Sequence, residues 1–104
     1  MLVGTPKYIS DSIKNPKRII KKINNGKLSL GYHVITFAKD PEQLDIIPSY
    51  VLMQQVYQGM DIEVVGLAKD LDSAYELVAK MTQDALDKTG DCNIKSFLMN
   101  NQVG

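Results

Sequence analysis

Residues 61–90 read DIEVVGLAKDLDSAYELVAKMTQDALDKTG, and the fold turns on how this stretch is parsed. Asp61 to Ala68 is an apolar, β-branched run of strand length, and Gly66 within it leaves room for something to approach the backbone closely. Asp70 or Asp72 then supplies a helix cap. Ala74, Leu77, Val78, Met81, Ala85 and Leu86 recur at i, i+3, i+4, i+7, i+11 and i+12, which is one face of a helix, and Gly90 is its stop. The grammar is strand, Lys-Asp, helix.

The same grammar occurs 30 residues earlier, where Ala38-Lys39-Asp40 matches Ala68-Lys69-Asp70. Tyr32 to Ala38 (YHVITFA) is nearly continuous in its apolarity, as suits a strand covered on both faces. Asp40-Pro41-Glu42-Gln43 combines a cap, a first-turn proline and a Gln three positions after the cap, so a helix is expected to begin there. Pro48 divides it into a short first piece and a second piece from Ser49 to Gln58, ended by Gly59. Asn93 to Met99 (NIKSFLM) alternates like a third, shorter strand. Successive strand–helix units favour a parallel sheet with right-handed crossovers.

Upstream, residues 1–27 carry seven Lys or Arg against Asp11 alone, a net of +6, which leaves −6 for the remainder of a chain whose total charge is zero. Asn15 as cap, Pro16 in the first turn and Asn25-Gly26 as a left-handed stop predict a helix over about 16–24. Lys14, Lys17, Arg18, Lys21 and Lys22 share one arc of that helix, and Ile19, Ile20 and Ile23 take the other. The predicted fold is therefore a single α/β domain over 1–104: a basic helical segment (1–27), then a β-α-β-α-β body (28–104). Its sheet is small, three-stranded and mainly parallel, with helices on both faces.

Composition narrows the function classes. At 104 residues, 44% hydrophobic and 23% charged, the chain has ordinary globular usage. No apolar run approaches the ~20 residues of a membrane-spanning helix, and Met1 to Tyr8 lacks the basic start and apolar stretch of a secretory signal. The lone Cys92 permits no internal disulfide, which sets a reducing cytoplasm as the expectation. The cationic face has one Arg and no interleaved aromatic for stacking on bases, nor a Trp or Phe to seat in lipid, so nucleic acid and membrane are both disfavoured. It is read as a solvated helix face, or as one that docks on the acidic part of this chain or of a neighbour.

In open parallel sheets ligands collect beyond the carboxyl ends of the strands. Here that edge would present Lys39, Asp40, Lys69, Asp70, Asn100 and Asn101, and two lysines beside two helix N-termini could hold a small anion. The simpler reading makes Asp40 and Asp70 caps and Lys39 and Lys69 solvated turn residues; no GxGxxG or GxxxxGK[ST] loop supports the sharper one. His33 has no acid or nucleophile among its sequence neighbours. Cys92 follows Asp91, which would raise a thiol pKa, and no zinc spacing exists. No catalytic residue, metal or cofactor is assigned. The function reading is a small cytoplasmic non-catalytic module acting through self-association and protein contacts. A homodimer is expected, formed edge to edge or through Met53, Tyr57 and Met60. The alternative is a regulatory protein that binds a small anion or nucleotide at the carboxyl edge of the sheet.

Overall fold

The computed structural model describes residues 2–26, 31–37, 44–53 and 61–90. Two short strands come first, β1 (Leu2–Val3) and β2 (Tyr8–Ile9), then helix α1 (Pro16–Asn24). Next are β3 (His33–Phe37), β4 (Leu44–Pro48), a single 3₁₀ turn at Val51–Met53, β5 (Ile62–Glu63), β6 (Gly66–Ala68) and helix α2 (Leu71–Thr89). The strands form a four-stranded sheet in the order β2-β6-β3-β4 and a two-stranded sheet of β1 with β5.

This corrects the expected architecture. Strands precede α1, so the chain does not open on a helix, and the sheets are mixed rather than mainly parallel. β1 with β5 and β2 with β6 run parallel, while β3 is antiparallel to both β4 and β6. The decisive difference is at residues 44–48, read as helix and found as a strand. Pro48 opposes His33 while the Ser49 N–H donates to the Tyr32 carbonyl, 2.9 Å. By the alternation of an antiparallel ladder, the Pro48 nitrogen then faces away from β3, where a missing donor does no harm. The helix expected to begin at Asp40 and the strand expected at Asn93–Met99 lie outside the described residues, as do Tyr57, Met60 and the side chain of Met53.

Helix α1 has the bounds the sequence implies, and α2 is capped at Asp70 and closed by Gly90 in the left-handed conformation. Each covers a different face of the sheet. Ile35 and Ala68 pack with Ala74, Met81 and Ala85 of α2, whereas their chain neighbours Val34 and Leu67 pack with Ile13, Ile20 and Ile23 around α1. Successive strand side chains point to opposite faces, so α1 and α2 lie on opposite sides of the sheet. That explains why β3 reads as a continuous apolar run although it has no parallel neighbour. Val34, Ile35, Leu67 and Met81 are fully buried, each stabilising the fold by about 1.5–3 kcal/mol relative to exposure.

Three elements converge on Gly66. A Cβ there would stand 2.9 Å from both Ile35 Cδ1 and Met81 Cε and 3.2 Å from the Tyr8 carbonyl oxygen. The two side-chain ends can shift; the strand carbonyl cannot do so without disturbing β2. Tyr8 also anchors the edge of the sheet to α2, its hydroxyl donating to Asp84 Oδ2 at 2.7 Å. Burial first, then that hydrogen bond and the Asp84 charge, raise the phenol pKa above its ordinary 10.0.

Two outcomes follow. Gly66→Ala is expected to lower stability in chemical denaturation by about 1–3 kcal/mol, and Met81→Ala by about 2–5 kcal/mol. The double substitution should cost less than the sum, because it vacates space the new methyl needs; strict additivity would show that the close approach is not limiting. The folded state holds the Tyr8 phenol protonated longer than the unfolded chain does. Stability from this contact is therefore intact below pH 10.0 and lost as pH climbs beyond it. Tyr8→Phe should flatten that alkaline decline in pH-dependent melting, and an unchanged profile would sink the assignment.

Candidate functional site

β1 and β2 do not pair with β5 and β6 in one continuous register. Leu2 opposes Ile62 and Tyr8 opposes Gly66, so two more residues lie between Leu2 and Tyr8 than between Ile62 and Gly66. The excess is taken up at Gly4–Lys7, where Gly4 has φ +84° and the Val65 carbonyl accepts from both the Lys7 and Tyr8 N–H groups at 3.3 Å. This bulge stands out beside α1 and forms one wall of a groove.

Helix α1 forms the other wall. Its Asn15 cap accepts from the Arg18 N–H at 3.3 Å, Pro16 fits the first turn, and Asn25 and Gly26 close the last turn onto the Lys21 and Ile23 carbonyls. Ile20 and Ile23 are buried against the sheet, which leaves Lys14, Lys17, Arg18, Lys21 and Lys22 exposed. Asn24 locks the two walls together. Its Oδ1 accepts from the Leu2 N–H at 2.7 Å and its Nδ2 donates to the Leu2 carbonyl at 3.1 Å, so one side-chain amide continues the strand ladder. Sequence reasoning missed Asn24. The available signal was a polar side chain four residues after Ile20, on the isoleucine side of the helix.

The groove has a volume of about 370 Å³ and is lined by Gly4, Thr5, Pro6, Lys17, Ile20, Lys21, Asn24 and Asn25. Pro6 and Ile20 are buried and give it an apolar base, while the amines of Lys17 and Lys21 stand at an exposed rim. Among the described residues, no carboxylate lies within 4 Å of Lys14, Lys17, Arg18, Lys21 or Lys22. A site with this chemistry fits an acidic group that carries an apolar body.

The edge singled out in the sequence is arranged differently. Lys69 and Asp70 follow β6; the Lys69 N–H donates to Ser10 Oγ at 3.2 Å, and Asp70 Oδ1 accepts from the Ser73 N–H at 2.7 Å. Those Ser73 hydrogen bonds, with smaller help from Lys69 and His33, hold the Asp70 carboxyl below its usual range. The N-terminus of α2 is thus already occupied by a carboxylate of the chain itself. His33 Nδ1 lies 3.0 Å from the Gly31 carbonyl. Lys39, Asp40, Asn100, Asn101 and Cys92 lie outside the described residues. Among the described residues there is no group of three or more His, Cys, Asp or Glu that could hold a metal ion, and no helix is long and apolar enough to cross a membrane.

Asn24→Ala should free β1 from α1 at a cost of about 1–3 kcal/mol, since it strands both polar groups of Leu2. Hydrogen exchange checks this directly. The Val64 amide, which donates to the Val3 carbonyl at 3.0 Å, is expected to lose protection before the Val65 amide, which is bonded to Ile35 at 2.9 Å; equal loss at both would contradict a local clamp. No family model matches this chain, and no curated protein or solved structure shows significant similarity to it.

Proposed function

We propose that this protein is a non-catalytic module that acts through protein contacts, self-association included, with the basic face of α1 and the adjoining groove as its contact surface. The observation that carries the reading is the set of four exposed cations on α1, with Lys14 just ahead of its cap, that have no carboxylate partner among the described residues. A helix fixed from beneath by Ile20 and Ile23 presents them in a constant arrangement. Association through such a face gains in rate and selectivity from long-range attraction to acidic surfaces. The lone Cys92 supports a reducing compartment, the cytoplasm, as the place where it works.

A fluorescent poly-glutamate peptide titrated with the protein tests this. Binding at low salt that weakens steeply at high salt is expected, with Lys17→Glu plus Lys21→Glu lowering affinity by roughly tenfold or more. Absence of binding at low salt, or an affinity indifferent to the double substitution, would overturn the proposal. So would tighter binding of a duplex oligonucleotide of equal charge, which would redirect the cationic face to nucleic acid.

A further inference from the structure

The exposed flank of α2 carries a second unpartnered surface. Leu71 and Tyr75 are 45% and 59% exposed, large apolar side chains four residues apart along the flank of the stripe that packs on the sheet. Beside them, with the same spacing, stand the exposed carboxylates Asp72 and Glu76. The groove next to α1 is the complement of this ridge. It has an apolar base of Pro6 and Ile20 and a rim of Lys17 and Lys21, again four residues apart. Side chains at this spacing sit about 5–6 Å from one another along a helix, so two carboxylates on one helix and two amines on another can pair two by two.

We infer that copies of this chain associate head to tail, the Leu71–Tyr75 ridge of one copy seating in the groove beside α1 of the next. The inference rests on the reading above, in that it takes the groove for a contact surface, and it names the occupant as a second copy. Ridge and groove cannot meet within one chain, because α1 and α2 cover opposite faces of the sheet. A symmetric dimer would set like against like. Two α1 faces would bring eight cations together, and a two-fold axis pairing each α1 with the other copy's α2 would require both faces of the sheet at one interface. The remaining arrangement is heterologous, with each added copy exposing a fresh ridge and a fresh groove. The zero net charge of the chain suits such a stack, since growth accumulates no charge.

Sedimentation velocity on the full chain decides the matter. The wild-type protein is expected to grow beyond a dimer with concentration at low salt and to dissociate at high salt. K17E/K21E alone and D72N/E76Q alone should each stay monomeric. Their mixture should form a one-to-one dimer and stop, because only one productive junction remains. The fourfold exchange K17E/K21E/D72K/E76K should recover growth. Far-UV circular dichroism of each variant confirms folding, and Tyr75→Ser, which leaves every charge in place, should weaken growth at least severalfold. A wild-type protein that is monomeric at low salt overturns the inference. A closed dimer indifferent to both double substitutions overturns it too, as does a mixture that grows past the dimer. If poly-glutamate still binds the groove of a strictly monomeric protein, only the head-to-tail inference falls; if it does not, the contact-surface reading falls with it.

Discussion

Everything in this fold depends on one close approach, that of β2, β3 and α2 to the backbone of Gly66. The glycine sits in the strand that joins the first part of the chain to the middle, parallel to β2 on one side and antiparallel to β3 on the other. With Ile35, Met81 and the Tyr8 carbonyl all within 3.2 Å of where a Cβ would be, there is no slack on the α2 side of the sheet. Hydrophobic burial holds these pieces together, but it is the missing side chain that lets them come near enough for α2 to lie flat. The Tyr8–Asp84 hydrogen bond then ties the edge of the sheet to the same helix.

The groove is a by-product of the way β1 and β2 meet β5 and β6. Pairing fixed at both ends, at Leu2 and at Tyr8, leaves surplus chain between them, and the surplus has to go outward. α1 happens to present its lysines beside it because its isoleucines face the sheet. A single amide, Asn24, sets the distance between bulge and helix by mimicking a strand neighbour to Leu2. The site is therefore built from a register mismatch, a helix face and one clamp, none of which is an unusual motif on its own.

Elements whose signals are local were legible in the sequence. α1 and α2 announce themselves through caps, a first-turn proline, terminal glycines and apolar spacing, and β3 through its β-branched run. The need for small size at Gly66 was legible as well. Strand direction was not, because the continuous apolarity of β3 reports burial on both faces, and antiparallel strands between two helices satisfy that as well as parallel ones. Leu44–Pro48 was misread because the cap-like Asp40-Pro41-Glu42-Gln43 before it suggested helix, while the better clue was Ile46-Ile47 followed by an edge proline. β1 and β2 are two residues each and broken by Gly-Thr-Pro, too short for any periodicity to show. The groove was beyond reach altogether, since it depends on the register between segments about sixty residues apart. Of the edge residues expected to gather, Asp70 is turned to its own helix, and Lys39, Asp40, Asn100 and Asn101 lie outside the described residues.

The parallel pairing of Tyr8 with Gly66 also bears on the order in which the molecule can assemble. Joining β2 to β6 closes a loop of 58 residues, an entropic toll of about 3–4 kcal/mol before any added constant. The hairpin of β3 with β4 and the contact of β6 with α2 close far shorter loops. On a ribosome, β1 and β2 emerge long before β5 and β6 exist, and α1 lacks its contacts with Val64 and Leu67 until those residues are free. β1 and β2 are thus made well before the strands that fasten them, and the groove beside α1 comes into being only when those strands arrive.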